Sequence, residues 1–397
     1  MKRTSLTSSS RCFALAAALM LSACGSGDNS VPPPSPMFYA YVASAGTSPS
    51  APGAIYEYGV YPPSGVSSLS QASIPAGVYP ATVIVNQQNV YVVNVGDGTI
   101  SQYTIAPDNT LVAMTPATVI NPGMHTPGPA PASAVIDGSY FYLVNTADNT
   151  LSQFSIGANG QLTPLTPSTV ATGVAPVAIL SVVVPNTSIQ YFYVLNSGAP
   201  GDTGSVSVYA TSGQNGALTL IDSDTVAAGT NPTAITINDV FSTVDVMSTC
   251  ATTQCSGSIK EFSIGAAAVL TDTGATVSTG SDAVNMVVND GGINSYAYVI
   301  SNGAGADANA GALWQYGVQS TGELAPATPP TVAIGSAAIA QYINVNSLFV
   351  LTANAAGNGG NLDYYALGTE GLATLNGTAK INAPYPTAMG VHILLDP

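Results

Sequence analysis

Residues 90–105 read VYVVNVGDGTISQYTI, and the chain writes this stretch again. FYLVNTADNTLSQFSI follows at 141–156 and FYVLNSGAPGDTGSVSVYA at 192–210. Aligning on the first aromatic gives Tyr41, Tyr91, Tyr142, Tyr193, Asp245, Tyr298 and Phe349, spaced by 50, 51, 51, 52, 53 and 51 residues. A second signal follows each time: Gly or Asn, any residue, an aliphatic, two more, then an aromatic. Its aromatics are Tyr58, Tyr103, Phe154, Tyr209, Phe262, Tyr316 and Tyr365. A third is a turn and a leucine, at Leu69, Leu111, Leu162, Leu218, Leu270, Leu324 and Leu372. A fourth is a short aliphatic run, often opened by proline, as in YPATVIV, NPTAITI and YPTAMGV. Self-similarity at a fixed period is the mark of a repeat architecture.

Each copy is β-rich. Val, Ile, Tyr, Phe and Thr cluster in short runs broken by Gly, Asn, Asp and Pro. No sustained helical period occurs after the N-terminal segment. YVVNV is apolar on both faces, which suits a sheet buried between two neighbouring sheets. Four strands per unit and a period near fifty predict an all-β, seven-bladed β-propeller of four-stranded antiparallel blades over residues 38–397. The phase predicts how the ring closes. The repeat begins on its second-strand signal, FYAYVAS, and ends on its first-strand signal, PTAMGVHILLD. The C-terminal strand is therefore expected to join the N-terminal blade, removing exposed edges.

The YVVN, YLVN and YVLN strands, the G-x-[IVL]-x-x-[YF] strands and turns such as Gly160-Gln161-Leu162 resemble the lactonase-like, YVTN-type seven-bladed propeller family. The resemblance covers essentially the whole repeat region and implies its fold. For activity it implies little, since that family includes 6-phosphogluconolactonases, a muconate-cycloisomerising enzyme and many unassigned surface proteins.

The N-terminus predicts a cellular address. MKRTSLTSSSR is a short basic segment, and CFALAAALMLSA is an apolar run too short to span a bilayer. Leu21-Ser22-Ala23-Cys24 resembles the lipobox of bacterial lipoproteins. That resemblance implies a signal peptide at 1–23, a lipid anchor on Cys24 and, with Gly25 following, the outer membrane of the cell envelope. Residues 24–37, rich in Gly, Ser and Pro, read as a tether. Cleavage there leaves Lys260 and Lys380 against all 20 acidic residues, a net charge of about −18 before the termini. Such a surface repels phosphate backbones, so no nucleic-acid partner is expected. Cys250 and Cys255, in STCATTQCSG, read as a disulfide in an oxidising compartment. Zinc would need more ligands, and no histidine lies within a hundred residues of the pair.

The chemistry-bearing residues are few. In propellers the innermost strands line a central channel, and the inter-blade loops and the second-to-third-strand hairpins share one mouth. His125, in the long loop NPGMHTPGPAPAS, is placed near that mouth, and His392 at the opposite end, so the two are not expected to meet. Asp97, Asp148 and Asp202 occupy equivalent hairpins; Asp282 and Asp307 are further mouth candidates. One carboxylate per blade spreads around a ring, whereas calcium gathers its oxygens on one ion, so tight-turn chemistry is the simpler reading. Asp245 replaces the second-strand aromatic. It marks either a locally irregular blade or a functional carboxylate. Trp314 is expected between blades.

No catalytic residue, metal site or cofactor motif assembles from the sequence. A phosphosugar would call for Arg or Lys, which the repeat region nearly lacks. The expected role is therefore a lipid-anchored, monomeric binding scaffold for a protein or glycan partner. The alternative is a lactonase-like hydrolase or isomerase acting on a neutral substrate. A structural envelope protein is a third possibility.

Overall fold

The computed structural model describes residues 36–47, 50–61, 65–124, 133–183, 189–212, 215–222, 226–240, 242–250, 256–289, 295–302, 311–334, 337–344, 346–354 and 356–393. They lie in one compact unit, Pro36–Pro397. Seven separate antiparallel sheets stand in it, each with its strands in chain order apart from the first, where the last strand leads. This is a seven-bladed β-propeller. The innermost strands of blades 1 to 7 are Pro386–Ile393, Pro80–Asn86, Ala134–Asp137, Pro176–Val183, Pro232–Asn238, Ala283–Asn289 and Ala338–Asn344. The second strands are Phe38–Ser44, Asn89–Asn94, Tyr140–Asn145, Gln190–Asn196, Thr243–Ser248, Tyr296–Ser301 and Ser347–Ala353. Blade 4 carries an additional short strand, Ala227–Thr230, paired with its third.

The ring closes as the phase of the repeat predicts. Pro386–Ile393 pairs with Phe38–Ser44 from Phe38 opposite Ile393 to Ser44 opposite Pro386. Seven apolar clusters hold the sheets together, one for each blade-to-blade interface. Tyr91 and Val93 of blade 2 pack on Phe141, Leu143 and Phe154 of blade 3. Val90 and Val92, the alternate residues, pack towards Tyr41 of blade 1. That is why YVVN is apolar on both faces. The last interface joins Phe349 and Leu351 of blade 7 to Phe38, Ala40 and Val42 of blade 1, with the Phe38 and Phe349 rings 5.0 Å apart, edge to face.

The repeated tyrosine has a second task. The Tyr41 hydroxyl donates to Asn109 O at 2.8 Å, Tyr91 to Gly160 O at 2.6 Å and Tyr142 to Gly216 O at 2.6 Å. Tyr193 reaches Ala268 O at 2.8 Å, and Tyr298 reaches Gly371 O at 2.5 Å. Every acceptor lies in the turn between third and fourth strands of the following blade. A buried hydroxyl must find a partner, and here the partner sets one blade's position against the next. Burial pushes the Tyr91 phenol up to about 12, so it remains a neutral donor.

A second bridge runs in parallel. Gln102 accepts from Leu162 N at 2.7 Å, Gln153 from Leu218 N at 2.6 Å and Gln315 from Ala373 N at 2.6 Å. Glu57 takes the same position in blade 1 and accepts from Leu111 N at 2.9 Å and Gln71 Nε2 at 2.9 Å. The third sequence signal is corrected here. Leu111, paired with Ile105, has as its counterparts Val66, paired with Val60, and Ala373, paired with Leu367. Leu69 and Leu372 are therefore out of step with the other five leucines. The register follows which residue fills the inter-blade slot, and valine and alanine fill it in those two blades.

The asparagine that ends YVVN braces the hairpin after it. Asn94 Nδ2 donates to Thr99 Oγ1 at 3.0 Å and Ser101 Oγ at 2.9 Å. Asn145 repeats this with Thr150 at 3.0 Å and Ser152 at 2.9 Å.

Two outcomes test this packing. Deleting residues 386–397 leaves the Phe38–Ser44 edge without its neighbour. The melting temperature is expected to fall by about 10 °C or more, with new protease cuts in blade 1; unchanged melting would refute the closure. Glu57 is fully buried, and that burial, before any other cause, raises its carboxyl above the ordinary range. The folded chain then holds a proton that the unfolded chain releases. Its stabilising share is complete below about pH 4.5, the unperturbed value, and is lost as pH rises through the folded value. Glu57→Gln should therefore raise the melting temperature at pH 8 by more than at pH 4; thermal scans at the two pH values decide it.

Candidate functional site

The seven innermost strands each form one end of their sheet. Their second edge carries backbone N–H and C=O groups that no neighbouring strand pairs. Together they enclose a cavity of about 720 Å³ lined from all seven blades. The cavity lies towards the first residues of these strands, on the face that the inter-blade connections approach.

A repeated backbone device shapes this end. The residue before the innermost strand is left-handed in six blades: Tyr79 (φ 52°), Ala175 (51°), Asn231 (50°), Asp282 (55°), Ala337 (54°) and Tyr385 (46°). Its carbonyl accepts from the backbone N–H just past the second strand, as in Val95 N to Tyr79 O at 3.0 Å and Ala45 N to Tyr385 O at 3.0 Å. Two residues later the register slips by one, for example between Pro80 and Thr82 and between Pro232 and Ala234. The bulged residues are Ala81, Val177, Thr233, Val284, Ile339 and Thr387, and all six line the cavity. A proline that opens the strand gives up no ladder bond there.

Among the described residues the wall is uncharged. Its polar side chains are Tyr79, Thr82, Ser133, Thr233, Asn285, Gln341 and Thr387, among Val, Ile, Ala and Met. Several stitch adjacent blades. Ser133 Oγ accepts from Ile179 N at 3.2 Å. Thr387 Oγ1 donates to Pro80 O at 2.5 Å. Gln341 Nε2 donates to Asn285 O and Tyr298 O, both at 3.0 Å. Gln341 Oε1 and Thr233 Oγ1 are buried without a hydrogen-bond partner. A second cavity of about 620 Å³ adjoins the channel over blades 7, 1 and 2 and shares Tyr79, Pro386 and Thr387 with it. Tyr385 is half exposed at this rim. Its ring lies on Gly357 (φ 67°), where a Cβ would come within 2.1 Å of the ring, so only glycine fits beneath it.

The sequence candidates fall as follows. Asp97 Oδ2 accepts from Val78 N at 2.7 Å, and Oδ1 accepts from Thr99 N and Oγ1 at 3.2 and 2.7 Å. Its groups are thus engaged in turn bonding. Asp148 lies in the hairpin of blade 3 and Asp202 in that of blade 4, where Asp202 N donates to Ala199 O at 2.9 Å. Asp282 is one of the six left-handed residues, and its N–H donates to Cys250 O at 3.0 Å. None of these four lines the channel cavity. His125, Asp307, Cys24 and Cys255 lie outside the described residues, and with Cys255 the expected Cys250–Cys255 pair. His392 stands near the end of the innermost strand of blade 1, its ring 6.4 Å from Tyr39; burial lowers its pKa. Trp314 donates to Ser301 Oγ at 3.0 Å inside blade 6 and packs on the cluster shared with blade 5. Neither lysine of the repeat region reaches the channel wall. Lys260 pairs with Asp272 at 2.7 Å and stands 5.2 Å over the Phe262 ring, and Lys380 is exposed in the outermost strand of blade 7.

A family profile, lactonase, 7-bladed beta-propeller, matches residues 81–280. The chain belongs to this family. The chain also resembles solved structures. One is a candidate 6-phosphogluconolactonase from Bacteroides uniformis (TM-score 0.66, 15% identity, 89% of this chain and 99% of that one). Another is a protein from Lactobacillus plantarum (0.65, 16%, 89% and 99%). A third is a candidate 6-phosphogluconolactonase from Bacteroides fragilis (0.63, 15%, 89% and 98%). At such identities the likeness is one of fold. No curated protein matches the chain in sequence.

The residues that line the channel were not among the sequence candidates. A signal for three of them existed: in YPATVIV, NPTAITI and YPTAMGV, Thr82, Thr233 and Thr387 stand one or two places after the strand-opening proline.

Proposed function

We propose that this lactonase-family propeller takes a neutral lactone into its channel and opens the ring with water. One observation carries the reading: the described wall offers hydroxyls, carboxamides and strand-edge backbone groups, with no ionisable side chain except the tyrosine at its rim. Such a lining suits an uncharged, oxygen-rich ring. The family supplies the ester class. A phosphorylated lactone is disfavoured, because neither lysine lies at the wall and the repeat region carries a large negative charge.

A second reading, capture of a neutral ring without turnover, is favoured by that same wall. Hydrolysis wants a base close to the attacking water, and no carboxylate or imidazole stands among the described lining residues.

A panel of aldonolactones tests both. Calorimetry is expected to show binding of neutral γ- and δ-lactones, weakened by Gln341→Leu and Thr387→Val. Acid release in a pH-stat, lost in His125→Ala, supports hydrolysis; binding without acid release supports capture. Tighter binding of a 6-phosphorylated lactone than of its neutral parent would overturn the reading.

For the address, we propose a lipid anchor at Cys24 holding the propeller at the outer membrane. The support is the basic, apolar and small-residue order before that cysteine. Cys24→Ser is expected to shift the protein from the detergent phase to the aqueous phase on Triton X-114 partition; an unchanged detergent-phase protein would count against it.

A further inference from the structure

The interface between blades 5 and 6 breaks the tyrosine rule. Asp245 stands where blades 1, 2, 3, 4 and 6 carry the tyrosine that bonds the next blade's turn. Its strand is not irregular. Thr243–Ser248 pairs with the third strand residue for residue, without a slip. In place of a tyrosine ring lies a cavity of about 220 Å³.

Three carboxylates line it. Asp245 and Glu261 are direct partners across the two strands, so their side chains leave the same face of the sheet. They are 1% and 4% exposed. Glu323 comes from the facing turn of blade 6. Ile259, Val277 and Leu324 supply apolar walls. Glu261 Oε2 is buried without a hydrogen-bond partner, although its counterparts Gln102, Gln153 and Gln315 each take a backbone N–H from the next blade. Burial raises the Glu261 carboxyl, Thr273 offsets part of this by hydrogen bonding, and Glu323 adds to it. Lys260, the nearest cation in sequence, is held by Asp272.

Buried carboxylate costs several kcal/mol unless a positive or hydrogen-bonding partner meets it. Among the described residues, no three His, Cys, Asp or Glu side chains take a metal-holding arrangement. The fitting guest is therefore an ammonium that carries an apolar body of about the size of a tyrosine ring.

We propose that the cavity between blades 5 and 6 is a binding site for a small arylalkyl amine, its ammonium held by Glu261 with Asp245 and Glu323 and its ring packed on Ile259, Val277 and Leu324. The site is separate from the channel and does not rest on the lactone reading.

The probe is 2-phenylethylamine, titrated into the full chain by calorimetry at pH 7, with 2-phenylethanol as its uncharged counterpart. The amine is expected to saturate and the alcohol to bind at least about tenfold more weakly, the ratio expected for one lost charge-assisted contact. Glu261→Gln should weaken the amine by a similar factor. Asp245→Tyr, which restores the side chain of the other blades, should abolish binding and raise the melting temperature. Equal binding of amine and alcohol, amine affinity untouched by Glu261→Gln, or no saturation in the millimolar range would overturn the proposal. So would calcium binding that Glu261→Gln abolishes when the amine does not bind. Should Asp245→Tyr fail to fold, the Glu261→Gln and alcohol comparisons decide alone.

Discussion

A sheet that is greasy on both faces has nowhere to stop. Each blade here buries apolar side chains on both sides, so each demands two neighbours, and a row of such sheets always leaves two open faces. A ring is the arrangement that leaves none. The apolar term supplies most of the driving force, at about 25 cal/mol per Å² removed from water, but it is indifferent to how one blade is turned on the next. The tyrosine hydroxyls and the glutamine carboxamides supply that direction. Each ends on a backbone group of the following blade, and each is worth about 1 kcal/mol net but more if its partner is left buried and alone. Packing thus makes the ring, and these two repeated bonds set its pitch.

The channel follows from the same geometry. Closing seven sheets around an axis turns seven strand edges inward, and an inward edge must not zip onto its neighbour. In six of the blades the left-handed residue and the bulge after it bend the innermost strand where it begins, spreading the wall and aiming one bulged side chain of each at the lumen. What those side chains are decides the chemistry, and here they are Ala, Val, Ile and Thr. The scaffold is the family's, whereas the described residues at its centre carry no charge.

The fold was legible because its signals are local. Period, β-branched runs and turn residues all lie within a few positions of one another, and the phase of the first and last copies foretold the closure. Two leucines misled because a leucine near a turn need not be the residue that fills the inter-blade slot; Val66 and Ala373 do so. The site was far less legible. Thr233, Asn285 and Gln341 are residues of no chemical distinction, and only their place at the ends of innermost strands assigns them to one wall. Asp245 stood out as a departure from the pattern, yet its significance lies in Glu261 and Glu323, and no spacing in the sequence announces that these three share a cavity. Charged candidates drew the eye to hairpins, where the Asp97 carboxylate serves backbone turns instead.

The strand at 386–393 belongs to the blade that begins at residue 38. A nascent chain emerging from the ribosome can assemble blades 2 to 7 in order of synthesis, each on the last. The first blade must wait, its Phe38–Ser44 edge bare through the making of more than three hundred residues, until the final strand arrives to seat beside it. Whatever machinery handles this polypeptide before then handles an incomplete circle, with an adhesive edge at its oldest end.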